Sequence, residues 1–310
     1  MAIALWCAVL LGALAVLVVG ADRFVEHAAA AARAYGVPQF VVGASIVAVG
    51  TSLPELAASL ASVFHGAGGF VAGTVVGSNV TNILLVLGAA AVAFRGGVSI
   101  STRIARLDVP VMLLAAVVIT LMMSDGKVSG MEGGLLLVMY AVYLSQSLRQ
   151  REAPSERHDE RLGRWWWAWM AGGAVGVWVG ARWTVRASVE LTHLLGLGDV
   201  AIVALSVVAV GSSLPELVVS LAAARRAYYE MSVGNVVGSN ICNSMLVLGL
   251  PALVRPLPVA PSVMHVGVGF MLGATVVLMA YGQVGAVGRH AGLLMLLAFA
   301  LFIMQLVGAG

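Results

Sequence analysis

Charge is what this sequence has least of. Asp, Glu, Lys and Arg together make up 10% of its 310 residues, against about a quarter in a soluble globular domain. Hydrophobic residues reach 61% and the mean hydropathy is +1.01, so a water-solvated enzyme domain is excluded and the bilayer is the expected solvent. Cysteine is almost missing as well: Cys7 and Cys242 lie far apart inside apolar segments, which leaves neither a disulfide framework nor a thiolate cluster. The six histidines show no metal-ligand spacing. No cofactor fingerprint occurs, and a net charge of +3 is too small for nucleic-acid binding. The first twenty residues contain no Lys or Arg, so the basic segment of a secretory signal is lacking and the first apolar run is expected to be a retained helix.

What is present is a succession of apolar runs long enough to approach the roughly 20 residues that cross a hydrocarbon core. They predict ten spans, near residues 2–20, 38–65, 68–94, 107–124, 129–148, 165–182, 198–224, 230–254, 263–281 and 290–308. The single long polar stretch, residues 149–164, divides them into five-span halves, 1–148 and 165–310. Placing loops on alternate sides puts 13 of the 17 basic residues, including the five linker arginines, on one side. By the positive-inside rule the linker is cytoplasmic and both termini lie opposite.

The halves repeat. Gly43 to Ser62, GASIVAVGTSLPELAASLAS, matches Ala204 to Ala223, ALSVVAVGSSLPELVVSLAA, and Gly73 to Gly88 matches Gly234 to Gly249, both at an offset of 161 residues. Because each half has an odd number of spans, the second must enter from the opposite side. The expected architecture is therefore an all-α polytopic membrane protein of ten transmembrane helices in two inverted five-helix repeats, with a substrate site near the midplane between them.

Within the apolar segments, Glu55 is the only charged residue between Arg33 and Arg95, and Glu216 the only one between Asp199 and Arg225. An ionised side chain at mid-membrane costs about 2.5–3.5 kcal/mol or more, so something must compensate it, and no basic residue is near in sequence. A bound cation does so. Each glutamate follows a proline, Pro54 or Pro215, which should break the helix and free the carbonyl of Gly50 or Gly211 beside the hydroxyls of Thr51, Ser52, Ser212 and Ser213. Ser78 with Asn82, and Ser239 with Asn243, stand four residues apart and so share a helix face. Two carboxylates among hydroxyl, amide and carbonyl oxygens form the mixed hard shell that suits Ca²⁺, whose charge the pair neutralises.

The paired motifs GTSLPE with GSNVTN and GSSLPE with GSNICN resemble the two alpha repeats of the calcium/cation antiporter superfamily, in particular its prokaryotic sodium/calcium exchangers. The resemblance covers both halves. It implies exchange of Ca²⁺ for several Na⁺ by alternating access. It also implies Glu55 and Glu216 as carboxylate ligands, Ser52, Ser78, Ser213 and Ser239 as hydroxyl ligands, Ala48, Thr51, Ala209 and Ser212 as carbonyl donors, and Asn82 and Asn243 completing the centre. Asn243 stands where some members carry an aspartate, leaving two core carboxylates. Ca²⁺ and Na⁺ are then substrates in a lipid bilayer, with no cofactor, no nucleic acid and no evident protein partner. The rival on the same scaffold is a H⁺/divalent-cation antiporter. An intramembrane enzyme using two carboxylates lacks a nucleophile or metal motif, and a passive channel would not need paired broken helices. The first and sixth spans, apolar and without candidate ligands, are expected to be the moving parts.

Overall fold

The computed structural model describes residues 2–94, 96–149, 162–195 and 211–308. Helix α1 (Ala2–Tyr35) is one rod of 34 residues. It does not end near Gly20 as the hydropathy suggests, because Asp22 and Glu26 find partners on a neighbouring helix and the run AAAAARAY continues the helix readily. After α1 come α2 (Gln39–Val42), a π turn (Gly43–Val47) and α3 (Ala48–Phe64) in unbroken succession. Helix α4 (Gly69–Thr81) likewise runs through a π turn (Asn82–Leu87) into α5 (Gly88–Ala93). A π turn (Ile104–Asp108) leads into α6 (Val109–Met122), followed by α7 (Gly130–Arg149) and α8 (Trp166–Leu195). Ser129 and Glu132 start α7 with a reciprocal capping box, in which the Glu132 carboxylate accepts from the Ser129 amide at 2.7 Å.

The second half has the same grammar. Helix α9 (Leu214–Arg225) precedes α10 (Tyr229–Cys242), whose π turn (Asn243–Val247) leads to α11 (Gly249–Val254). A further π turn (Val263–Gly267) opens α12 (Val268–Val284), and α13 (Arg289–Gly308) follows. Counted through their π turns, seven helices among the described residues are long and apolar enough to cross a membrane: Ala2–Tyr35, Gln39–Phe64, Gly69–Ala93, Ile104–Asp125, Tyr229–Val254, Val263–Val284 and Arg289–Leu306. The span expected at 198–224 lies partly outside the described residues.

Two ribbons of two-residue strands tie the halves together at their loops. Strand β1 (Val98–Ser99) pairs antiparallel with β4 (Ala286–Val287), Val98 opposite Val287. Strand β2 (Lys127–Val128) pairs with β3 (Leu257–Pro258), Lys127 opposite Pro258. Each ribbon joins one loop of the first half to one of the second.

Packing separates two apolar clusters. The larger runs through α4, α6, α10, α12 and the π turns between. The smaller joins α1 and α8 to α2, α9 and α10, with Leu17, Phe24, Val177, Val42, Val219 and Met231 among its buried members. Glycine makes the α1–α8 contact close: a Cβ on Gly180 would lie 2.6 Å from the Leu17 amide nitrogen, and one on Gly173 2.6 Å from that of Phe24. Small residues at membrane helix interfaces permit this backbone-to-backbone approach.

Candidate functional site

Helices α3, α4, α9 and α10 cross where the two repeats meet, and they carry the motif residues to one buried place. Glu55, Thr51 and Ser52 on α3 are 3%, 2% and 1% exposed, and Glu216 and Ser213 at the start of α9 are 0% and 1% exposed. Ser78, Asn82, Ser239 and Asn243 are buried alongside. Proline acts differently in the two halves: α3 continues through Pro54, whereas the helical turn at Gly211 and Ser212 is interrupted at Ser213, two residues ahead of Pro215, and α9 starts at Leu214. The expected break at Pro54 is therefore absent. The missing Pro54 N–H deprives one carbonyl of its donor without ending the helix.

Hydrogen bonds bridge the repeats. Ser52 Oγ donates to Glu216 Oε1 at 3.3 Å. The hydroxyls of Thr51 and Ser239 lie 3.4 Å apart, and so do those of their counterparts Ser212 and Ser78. Asn82 Nδ2 donates to Asn240 Oδ1 at 3.0 Å, and Asn240 Nδ2 to the Asn79 carbonyl at 3.2 Å. Asn235 donates to Ser220 Oγ at 2.9 Å and faces Thr51, whose hydroxyl is 3.3 Å from Asn235 Oδ1. Ala48 accepts from Thr51 Oγ1 at 3.2 Å, so its carbonyl already has a donor. Ala209 lies outside the described residues.

After these bonds are counted, a group of oxygens remains without a protein partner: both of Glu55, Oε2 of Glu216, Oδ1 of Asn82 and of Asn243, and Oγ of Ser213. Buried polar atoms are ordinarily satisfied, and each orphan calls for an explanation. Six buried acceptors on the motifs of both halves, two of them on one carboxylate and a third on the other, match what a hard cation takes. Among the described residues no cluster of three or more His, Cys, Asp or Glu side chains occurs, so two carboxyls carry the charge.

Two features escaped the sequence reading. Asn82 and Asn243 each begin a π turn, which shifts the side chain out of α-helical register; such turns concentrate at functional sites. Asn79 and Asn240 bond across the repeats, a role for which the duplicated Asn in GSN was the available signal, while Asn235, whose counterpart is Thr74, ties α10 to Ser220 of α9 and faces Thr51. Asp108, placed near a span end from sequence, is 4% exposed and accepts from Tyr143 at 3.1 Å.

A helical, membrane-embedded chain with paired glutamates and unsatisfied oxygens between two repeated motifs defines a cation exchanger of the bilayer. The chain belongs to the Sodium/calcium exchanger protein family, which it matches over residues 5–148 and 165–308. It is 31% identical to the inner membrane protein YrbG of Escherichia coli, over 96% of each chain. With the sodium/calcium exchanger MaX1 of Methanosarcina acetivorans it shares 32% identity, over 96% of this chain and 97% of that one. A solved structure of the sodium-calcium exchanger NCX_Mj, soaked with 2.5 mM Na⁺ and 0.1 mM Ca²⁺, superposes with a TM-score of 0.85 at 30% identity, covering 97% of this chain and 98% of that one.

Proposed function

We propose that this protein exchanges Ca²⁺ for Na⁺ by alternating access, through ten spans in two inverted five-helix repeats. The observation that carries the reading is the set of unpartnered buried oxygens on Glu55, Glu216, Asn82, Asn243 and Ser213. Ser52, Ser78, Ser239, Thr51 and Ser212, and the carbonyls of Ala48 and Ala209, stand in the supporting ligand set. Glu55 and Glu216 bind the ion as a pair, neutralising Ca²⁺ and leaving a net positive site when more than two Na⁺ replace it. The names of the relatives MaX1 and NCX_Mj support the choice of ions.

The linker 149–164 is placed on the cytoplasmic side of the inner membrane, with both termini opposite. The loop ribbons support this layout, since each pairs two loops assigned to one side. Helices α1 and α8, packed on each other through glycine and on the core through the smaller apolar cluster, form the sliding pair.

The test is uptake of radiolabelled Ca²⁺ into proteoliposomes with and without an outward Na⁺ gradient at clamped pH. Uptake that follows the Na⁺ gradient is expected. Uptake driven by a pH gradient and indifferent to Na⁺ would assign the H⁺/divalent-cation mechanism instead.

A further inference from the structure

The two halves differ in the last helices of each. Past the motif region the structural offset between halves is 159 residues, as the left-handed turn glycines Gly126 and Gly285 show. The same offset relates Gly133, packed on the Gly249 carbonyl, to Gly292, packed on that of Gly88. At this offset Pro110, Leu114 and Met139 of α6 and α7 correspond to Gly269, Gly273 and Ala298 of α12 and α13. Three bulky side chains have become small. The result is a cleft of about 670 Å³ between α12 and α13. A Cβ placed on Gly269 or on Gly273 would meet nothing within 4 Å, so the glycines line open space and not a helix contact.

The cleft's chemistry is polarised along its length. From Val266 to Tyr281 it follows the end of the π turn and α12 for fifteen residue steps, about 22 Å at a helical rise of about 1.5 Å per residue. That exceeds half the hydrocarbon core of about 30 Å, the thickness of one leaflet. Its walls are apolar and face the bilayer, with Val277, Leu294 and Leu301 at 42%, 64% and 45% exposure. Of its polar residues, His265 and Gln305 stand together at one end, where α12 begins and α13 closes, and the Tyr281 phenol stands alone at the other. Either ring tautomer of the histidine offers an N–H, and the glutamine amide offers two. Such donors suit a phosphate oxygen. The other half keeps a basic residue and a glutamine at the same positions, Arg106 and Gln146, with the bulkier Pro110, Leu114 and Met139 between them.

An apolar concavity in hydrocarbon is not filled by water, because water finds no polar partners there. The solvent available is the lipid itself. We propose that the cleft between α12 and α13 binds a membrane phospholipid, one acyl chain lying along Gly269 and Gly273 with the phosphate headgroup at His265 and Gln305. Leu84, two residues beyond Asn82 and within the same π turn, lines the cleft, so the bound chain rests directly on the segment that presents Asn82.

The experiment uses the full chain in vesicles of phosphatidylcholine and phosphatidylglycerol, doped with phosphatidylglycerol carrying a diazirine on its acyl chain. After irradiation the labelled peptides are mapped. Labelling of the α12–α13 cleft is expected to exceed that of other lipid-facing helices by roughly tenfold, and Gly273→Leu, which installs the residue found at 114, should bring it down to theirs. Should Gly273→Leu fail to fold, Val277→Trp closes the cleft from its exposed wall. Combining His265→Ala with Gln305→Ala should remove the enrichment for the phospholipid while leaving that for a diazirine fatty alcohol of equal chain length. Uniform labelling of all lipid-facing helices, labelling unchanged when the cleft is filled, or a second copy of the chain cross-linked in the cleft would each overturn the proposal.

Discussion

Ser52 donates to Glu216 across the repeat interface at 3.3 Å, while the symmetry-related hydroxyl of Ser213 has no partner on Glu55. The paired glutamates are therefore held unequally, Glu216 by a neighbour from the other half and Glu55 by none. Removing the Glu216 brace by Ser52→Ala should weaken apparent Ca²⁺ affinity by roughly tenfold, as loss of a ligand's orienting partner typically costs. Concentration dependence of Ca²⁺ uptake checks this, and an unchanged affinity in Ser52→Ala would contradict it.

Glu55→Gln and Glu216→Gln should each abolish exchange while inserting and folding normally, since a neutral isostere eases membrane insertion and removes a ligand charge. Flux at matched expression, with thermal unfolding as the folding control, provides the measurement.

Asp22 pairs with Arg225 at 2.8 Å, and Glu26 with Arg226 at 3.4 Å, so ion pairs tie α1 to the end of the Glu216 helix. The other half has no such tie: Arg182 and Arg186 correspond to Asp22 and Glu26 at an offset of 160, and Phe64 and His65 to Arg225 and Arg226 at 161. Pairs this exposed are worth about 0.2–1 kcal/mol each and are screened by salt. Combining Asp22→Asn with Glu26→Gln should raise turnover by roughly two- to fivefold and flatten its dependence on ionic strength. Unchanged kinetics would show that α1 does not move against α9 in the rate-limiting step.

Gly180→Leu should separate α1 from α8, because even a Cβ at that position falls 2.6 Å from the Leu17 backbone. If the two helices slide as one body, exchange is lost although cation binding, read by calorimetry, persists. Loss of binding as well would place the damage in the ion site and not in the moving pair.

Tyr143→Phe should destabilise the fold by about 1–3 kcal/mol, since it withdraws the donor from the buried Asp108 carboxylate. The thermal midpoint should fall by several degrees, and Tyr143→Phe combined with Asp108→Asn should recover part of the loss. Exchange at low temperature should be little affected.

Exchange of more than two Na⁺ for one Ca²⁺ moves net charge, and each elementary charge couples to the membrane potential by about 2.3 kcal/mol per 100 mV. A potential set with valinomycin should therefore bias Ca²⁺ uptake in proteoliposomes. Flux indifferent to voltage would require a charge-balanced cycle.

The membrane, the duplication and the two glutamates were legible in the sequence because each leaves a local mark. A charge in an apolar run is costly wherever it sits, and a repeated motif needs no three-dimensional context to be seen. Hydropathy misjudged α1 for the complementary reason: Asp22, Arg23 and Glu26 read as a loop, since the arginines that donate to Asp22 and Glu26 from the end of α9 are some two hundred residues away in the chain. The π turns at Asn82 and Asn243, the unbroken helix at Pro54 against the interruption at Ser213, and the asymmetric grip on Glu216 had no local signature either. Near-identical motifs took different conformations and partners because their neighbours differ. Composition and periodicity determined which residues enter the bilayer and which pair carries charge, for those depend on transfer from water and act residue by residue. Tertiary structure alone decided which oxygens are consumed by partners in the other half and which are left for a cation, because that depends on donors brought from distant segments into hydrogen-bonding range.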